Sequence, residues 1–337
     1  MFPVVESDRA APATLAARPC IQVFIDESRH CLYIDRERPR RLNGHNKGGE
    51  TVSAWLLYRA MSTSLVEAFC CQSPVLNALL RAFCLPFALE LTRLGIKMEG
   101  MVARDRHLQG ACRWLVEIAA NDIQIDGAEN IPRAGPLLLV SNHAGLGDAH
   151  AALMALPRHD TLLLARDFGI LPGLAQFRQY VIVVDAARPY AAIRQSIRHL
   201  QNGGSLLLFP RGEIEADPAL DLDAARASLP DWTHSIDLFA RHVPDLAILP
   251  LAVAGVLSRR ALNNPLVRQY REEAKRNFLA ATFQMMFAWY RDAEICVRYG
   301  LPLRAPKASR RQALRQMESL LWQAHAACQS SSSAQVM

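Results

Sequence analysis

The spacing of apolar residues along this chain changes near residue 121. From about 51 to 120 they recur every three or four positions, in "AWLLYRAMSTSLVEAFC", "VLNALLRAFCLPFALELTRL" and "RHLQGACRWLVEIAA". That period lines one face of an α-helix, and Pro74 and Gly95 read as breaks between such helices. Beyond 121 the apolar residues come in short unbroken runs: "IQID" (123–126), "LLLV" (137–140), "TLLL" (161–164), "VIVV" (181–184), "SLLLF" (205–209), "AILPL" (247–251) and "EICVR" (294–298). Helical stretches separate several of them. The best marked is 189–201, where Pro189 suits the first helical position, Ile193, Ile197 and Leu200 share a face, and Asn202-Gly203-Gly204 ends the helix. Strands without polar alternation, separated by helices, predict an α/β fold. Its central sheet is mostly parallel and flanked by helices, with an N-terminal helical region in front.

The same pattern divides the chain into four segments. Residues 1–50 form an N-terminal extension in which "IQVFIDESRHCLYID" (21–35) predicts a β-hairpin, followed by the loop-like "RERPRRLNGHNKGG". Residues 51–120 are the helical region and 121–305 the α/β domain. Residues 306–337 predict an amphipathic helix with a disordered tail, "SSSSAQVM". No internal repeat is present.

Composition narrows the partners. The chain has 337 residues, 51% of them hydrophobic, and a net charge of +6. Basic residues cluster at Arg36, Arg38, Arg40 and Arg41, at Arg268, Arg271, Lys275 and Arg276, and at Arg304, Lys307, Arg310, Arg311 and Arg315. Such clusters either form solvated helix faces or meet anionic headgroups, where each basic group contributes about 1 kcal/mol. There is no nucleic-acid recognition motif and no regular aromatic interleaving, so nucleic acid is not an expected partner. None of the 8 cysteines forms a C-x-x-C pair, which reads as reduced core residues in a cytoplasmic protein. The N-terminal stretch lacks the apolar region of a signal peptide. No charge-free apolar run reaches the roughly 18 residues of a spanning helix. The expectation is a cytoplasmic protein held peripherally on the cytoplasmic face of a membrane, with residues 51–120 either a platform in the bilayer interface or a cap on the sheet.

The chemistry concentrates in "SNHAGLGDAH" (141–150). His143 follows a strand after two intervening residues and so emerges at that strand's C-terminal end, the edge where open α/β sheets hold ligands. Asp148 precedes the helical "AHAALMAL" and reads as its N-cap. Five residues apart, the two would lie about 140° apart on a continuous helix. Pairing them needs a turn, which Gly145 and Gly147 make easy. A carboxylate on one ring nitrogen fixes the tautomer and leaves the other nitrogen to take a proton. Two other readings stay open at this point: a capped helix with His143 bonded to backbone, or a metal site of His143, Asp148 and His150 needing a further ligand.

Asn142-His143 with Asp148 matches the N-H-x-x-x-x-D motif of the glycerolipid acyltransferases, the lysophosphatidate acyltransferase superfamily. Four further blocks resemble that family in the same order, over about residues 122 to 303: "ARDFGILPGLAQFRQYVIVVDAAR", "GGSLLLFPRGE" for F-P-E-G-T-R, "AILPLAVAG" with its central Pro250, and the closing "VRYGLPL". The resemblance implies His143 and Asp148 as catalytic residues. It implies Asn142, Arg166, Arg188, Phe209, Pro210, Arg211, Gly212, Glu213 and Pro250 as substrate-binding residues, and no metal. Four positions depart from the pattern. Arg211 stands where the family has Glu, Glu213-Ile214 where it has Thr-Arg, and Ala186 where it has Arg. Two arginines associated with a glycerol phosphate are thus absent, along with their charge-assisted bonds. Arg166, Arg188 and Arg211 are the substitute cations on offer. For Arg188 the plain alternative is surface exposure, and for Arg211 an ion pair with Glu213 or Glu215.

The implied activity is transfer of a fatty acyl group from an acyl carrier protein or coenzyme A thioester to a hydroxyl or amine of a lyso-lipid-like acceptor. It needs no cofactor beyond the acyl donor, and backbone N–H groups near Gly145 or Gly212 would stabilise the oxyanion. The altered "FPRGE" motivates an alternative, a non-catalytic lipid- or acyl-carrier-binding protein on the same fold. A metal-dependent hydrolase is the third option.

Overall fold

The computed structural model describes residues 49–69, 73–166, 169–185, 187–304 and 308–334. The hairpin expected at 21–35, the basic loop after it, Ala186, Lys307 and Cys20, Cys31, Cys70 and Cys71 lie outside the described residues. Each of the seven apolar runs is a strand: β1 (Ala120–Asp126), β2 (Leu137–Ser141), β3 (Thr161–Arg166), β4 (Val181–Val184), β5 (Ser205–Leu208), β6 (Ala247–Ala254) and β7 (Ala293–Tyr299). They form one sheet in the order β1-β7-β6-β2-β5-β3-β4. The five strands from β6 to β4 are parallel, and β7 joins β6 antiparallel with β1 parallel to β7.

Burial on both faces explains the missing polar alternation. Leu137 and Leu139 of β2 point into one core layer, and Leu138 and Val140 into the other. The helices are α1 (Gly49–Glu67), α2 (Pro74–Asp105), α3 (Gln109–Ala119), α4 (Asp148–Leu153), α5 (Pro189–Gln201), α6 (Leu222–Ala227), α7 (Ser235–His242), α8 (Arg259–Leu262), α9 (Pro265–Arg268), α10 (Glu273–Met286) and α11 (Arg310–Ala334). Cys112 and Val116 of α3 and Ala151 to Leu153 of α4 fill the first layer. Leu200 of α5, Phe239 of α7 and Met317 and Leu321 of α11 fill the second. A third cluster joins Leu65, Cys84, Ala88 and Leu91 of α1 and α2 to Leu279, Phe283 and Met286 of α10.

Several expectations need correction. Pro74 does open α2, behind Ser73 as its cap, but Gly95 does not end it: α2 runs 32 residues, through both Pro86 and Gly95. A side chain at Gly95 would come within 2.6 Å of Leu57 Cδ2, so the glycine serves close packing of α1 on α2. No 18-residue run of this helix is charge-free, as the sequence indicated, yet the helix is strongly apolar. An 18-residue stretch of α2 is apolar enough to cross a membrane by length and composition, and only 22% of it is buried. Val75, Leu76, Leu79 and Phe83 are exposed on its first turns, whereas the later exposed positions include Glu90, Arg93 and Lys97. The tail is helical as far as Ala334. Arg310, counted in a basic cluster, is spent on structure: its guanidinium donates to the Trp232 and Pro230 carbonyls.

Pro250 lies inside β6, buried, in the centre of the sheet, where proline is normally excluded. The neighbouring chain is irregular at that point. Ile248 bridges Leu303 and Leu251 faces Tyr299, so no ladder partner needs the missing N–H, while the Pro250 carbonyl accepts from Gly300 N–H at 2.8 Å. Its surroundings make it a sheet residue, three positions behind the level of His143, rather than a substrate contact. The four described cysteines, Cys84, Cys112, Cys296 and Cys328, are buried free thiols.

The α1 backbone rests on the short turn at 171–173. A Cβ at Gly173 would lie 2.7 Å from Leu57 Cβ and 2.8 Å from its Cα and N. Gly173→Ala is therefore expected to cost about 1–3 kcal/mol and to loosen α1. A lower thermal midpoint with faster proteolysis within α1 is the expected result; an unchanged midpoint would contradict this packing.

Candidate active site

The site is built where β2 ends. Asn142 is buried, and its amide pairs both ways with the β6 backbone: Nδ2 donates to the Val253 carbonyl at 2.8 Å and Oδ1 accepts from Val253 N–H at 2.9 Å. Both polar ends are thereby used. Asn142 locks the strand exit to β6, with one amide N–H and one acceptor site of Oδ1 engaged.

His143 comes next, and its Nδ1 lies 2.7 Å from Asp148 Oδ2. The glycine-containing turn brings these two together as the spacing required. Asp148 is not the cap of α4, as expected, but its first residue, with Gly147 in the cap position. Its carboxylate turns back instead, accepting from Gly145 N–H at 3.0 Å and from Ala149 N–H at 2.6 Å. Phe209 stacks on the His143 ring, with centroids 4.5 Å apart and planes at 25°. The ring's Nε2 has no partner among the described residues, and the side chain keeps 27% of its surface exposed. One nitrogen is held and the other is open.

A residue outside the sequence-predicted set grips the His143 backbone. Glu215 Oε2 accepts from His143 N–H at 2.8 Å, and Glu215 N–H donates to the His143 carbonyl at 2.6 Å. Its Oε1 accepts from Ser228 Oγ at 2.6 Å and Trp232 Nε1 at 2.9 Å. Two residues on, buried Asp217 accepts from the backbone N–H groups of Ala219, Gly255, Val256 and Leu257. The chain from 215 to 217 thus ties the loop after β2 to the loop after β6. The available signal was the alternation of acids with apolar residues in "EIEAD", but acids in a loop usually face water.

Burial pulls the His143 pKa down, but the charge and hydrogen bond of Asp148 and the charge of Glu215 outweigh it and hold the imidazole above its ordinary range. Burial pushes the Glu215 carboxyl up, against the bonds from Ser228, Trp232 and His143 N–H and the Arg211 charge. Asp217 is likewise pushed up by burial, against its four backbone donors. His150 is pulled down by burial and bonds the Leu146 backbone, away from the pair. Among the described residues no three His, Cys, Asp or Glu side chains group as a metal site.

The remaining sequence-predicted residues divide. Arg166 is exposed at the end of β3, two strands from β2, or about 10 Å along the sheet. Arg188 is 81% exposed and pairs loosely with Asp185 at 3.4 Å. Arg211 turns to the Ile214 carbonyl (3.3 Å) and Asp231 (4.0 Å) rather than to Glu213 or Glu215. Pro210 accepts from Thr233 N–H, and Glu213 is half-buried. Gly212 takes φ +76°, the left-handed turn that glycine allows. Its N–H donates to the Phe209 carbonyl, and Gly145 N–H to Asp148. The N–H groups of these two glycines are thus engaged within the loops themselves.

Beside this loop lies a narrow crevice of about 10 Å³, room for about one water. Ala144, Gly145 and Leu146 line it from the His143 side, with Ile214 and Leu257, and α10 closes it with Asn277, Phe278 and Ala281. The α10 residues had no sequence signal beyond a helical pattern.

No protein-family model matches the chain, and no curated protein matches it in sequence. Among solved structures it is similar to the crystal structure of the 1-acyl-sn-glycerophosphate (LPA) acyltransferase, PlsC, from Thermotoga maritima. The two are 13% identical, the match covers 81% of this chain and 97% of that one, and the TM-score is 0.37.

The electrostatics of the pair can be tested without reference to a reaction. Asp148→Asn removes the charge that opposes desolvation, so the His143 pKa should fall, as read by NMR titration of its ring protons. The linkage has a definite sign: the native pair adds stability below the ordinary histidine pKa and loses it as pH rises through the elevated one. A His143 pKa unmoved by Asp148→Asn would refute the coupling.

Proposed function

We propose that the chain is an acyltransferase, moving a fatty acyl group from an acyl carrier protein or coenzyme A thioester to a hydroxyl or amine of a lyso-lipid-like acceptor. The observation that carries this reading is the His143–Asp148 pair, its Nε2 open to solvent at the C-terminal edge of the parallel strands. The ordered series of motif blocks around the pair supports the same chemistry.

In this reading His143 Nε2 takes the proton of the acceptor as its oxygen or nitrogen attacks the thioester carbonyl carbon. Asp148 holds the ring's other nitrogen and stabilises the imidazolium. The tetrahedral intermediate then collapses, breaking the carbon–sulfur bond, and the departing thiolate recovers the proton from the imidazolium. Atoms and charge balance without a covalent enzyme intermediate, a metal or a bound cofactor. Because the base must be neutral, activity rises with pH through the elevated His143 pKa.

The same reading places the protein peripherally on a membrane, where such substrates reside. Its support is the first half of α2, apolar on its exposed as well as its packed face. An apolar helix face set into the interface, with basic residues nearby, is a common peripheral anchor.

Purified protein should release thiol and form acylated product with acyl-carrier-protein or coenzyme A donors and a suitable member of a lyso-lipid panel. His143→Ala should lower the rate by roughly 10²–10⁴-fold with its thermal midpoint kept. Binding of acyl donors without thiol release across the panel would favour a non-catalytic carrier-binding protein, and chelator-sensitive hydrolysis would favour a metallohydrolase. For the membrane contact, wild type should float with anionic vesicles in low salt, and Leu79→Ser with Phe83→Ser should float less. A wild type that stays in the pellet fraction would overturn that part.

A further inference from the structure

Helix α5 carries a basic face outside the His143 site. Tyr190, Arg194 and Arg198 recur every four residues and so line one stripe of the helix, about 12 Å long. Arg188 stands just before the helix, at the same end as Tyr190. All four are exposed, Tyr190 at 72% and the Arg188 side chain at 81%. No acidic residue occurs between Asp185 and Glu213. Among the described residues the one ion pair of these arginines is the loose contact of Arg188 with Asp185, at 3.4 Å. Other basic residues are more firmly engaged: Lys275 pairs with Glu272 at 2.7 Å, and Arg310 bonds the Trp232 and Pro230 carbonyls.

The fold limits what this face can meet. α5 leads from the end of β4 back to the start of β5, and β3, β4 and β5 are parallel, so its first turn lies at the strand ends where His143 emerges. β4 is three strands from β2, or about 15 Å along that edge. Ala192, Ile197 and Leu200 pack α5 into the second core layer, whereas Met98 and Val102 of α2 belong to the first. The two helices therefore cover opposite faces of the sheet. A bilayer that takes up the exposed start of α2 leaves the outer face of α5 to the aqueous side. The diphosphate of a small donor calls for cations that converge on one point, but these project from successive turns of a convex helix. An acidic protein surface matches their sign and their spread, and an exposed tyrosine among arginines is a composition that protein interfaces favour.

We propose that Arg188, Tyr190, Arg194 and Arg198 form the docking surface for an acidic acyl carrier protein, which delivers the thioester. The proposal rests on the acyltransferase reading and chooses between its two donors. A phosphopantetheine arm is long enough to cross three strand widths along the sheet edge and bring the thioester carbonyl to the open Nε2 of His143.

Docking is measured apart from turnover, by fluorescence anisotropy of labelled apo acyl carrier protein, which has neither arm nor acyl group. The wild type should bind it at low ionic strength and more weakly as salt is added. Arg194→Glu with Arg198→Glu should weaken binding roughly 10-fold or more and keep the thermal midpoint, since both side chains are exposed. Arg311→Glu with Arg315→Glu, an equal charge reversal on α11, should bind as the wild type does. In thiol-release assays the α5 variant should raise KM for the acyl carrier protein donor by a similar factor with kcat kept. Binding absent from the wild type, or weakened equally by both reversals, would overturn the proposal. An equal rise in KM for the coenzyme A thioester would give the arginines to a small donor's phosphates and overturn it too. So would loss of flotation with anionic vesicles in the α5 variant, which would give the face to the membrane. If no donor releases thiol while the apo carrier binds the wild type and not the α5 variant, the reaction is refuted and the docking surface stands.

Discussion

The grip of Glu215 on the His143 backbone is the contact on which the rest of the site depends. A histidine at the end of a strand has a free main chain unless something captures it. Here the N–H and the carbonyl of the same residue are both bonded to one partner. A carboxylate suits this place better than an amide. Its oxygens only accept, and all three groups that meet it are donors: His143 N–H, Ser228 Oγ–H and Trp232 Nε1–H. Losing it would leave His143 N–H and Trp232 Nε1–H without acceptors, each at about 1–3 kcal/mol, while Ser228 Oγ–H keeps the Ala225 carbonyl at 2.8 Å. Asp217 repeats the device two residues later for the loop after β6. Val256 of that loop then lies 3.1 Å from where a Gly145 side chain would begin, so two buried carboxylates set the spacing across which the His143 turn is pressed.

The elements legible in the sequence were those fixed by local pattern. Seven apolar runs without polar alternation became seven strands because both faces of the sheet are covered. His143 and Asp148 met because two glycines stand between them and a continuous helix cannot bring them together. What stayed hidden depends on contacts between segments far apart in the chain. Nothing local marks Glu215 and Asp217 as buried, since their donors come from residues 143, 228, 232 and 255–257. Asn142 looked like a ligand group because its partner, Val253, lies more than a hundred residues away. Gly95 looked like a helix break because the Leu57 side chain that requires it belongs to another helix. The exposed apolar character of α2 was muted in the sequence for a different reason: between Val75 and Thr92 Arg81 and Glu90 interrupt an otherwise uncharged stretch.

The departures in "FPRGE" can now be divided by what each position does. Phe209 supplies the face on which the imidazole lies, Gly212 the left-handed turn, and Glu215 the backbone clamp just beyond the block. All three hold His143, and none bonds directly to the side chain at 211. Arg211 turns toward Asp231 and the Ile214 carbonyl, so the substitute cation on offer at the altered position is engaged within its own loop region. Its charge still reaches Glu215, where it eases the burial of a carboxylate. The block therefore maintains the geometry of His143 while the contacts that would choose an acceptor differ from the pattern.

That division has an electrostatic consequence. Asp148 bonds the His143 ring and Glu215 bonds its backbone, while the adjoining pocket has no charged lining residue. The exposed arginines at the same sheet edge, Arg166 and Arg188, stand two and three strands from β2, and inter-strand spacing sets them about 10 and 15 Å away. An acceptor with an anionic headgroup would have to place that charge at the β3–β4 end and its reacting hydroxyl or amine at His143. In the acyltransferase reading proposed above, recognition of charge and the chemistry would therefore lie two or three strands apart on the sheet.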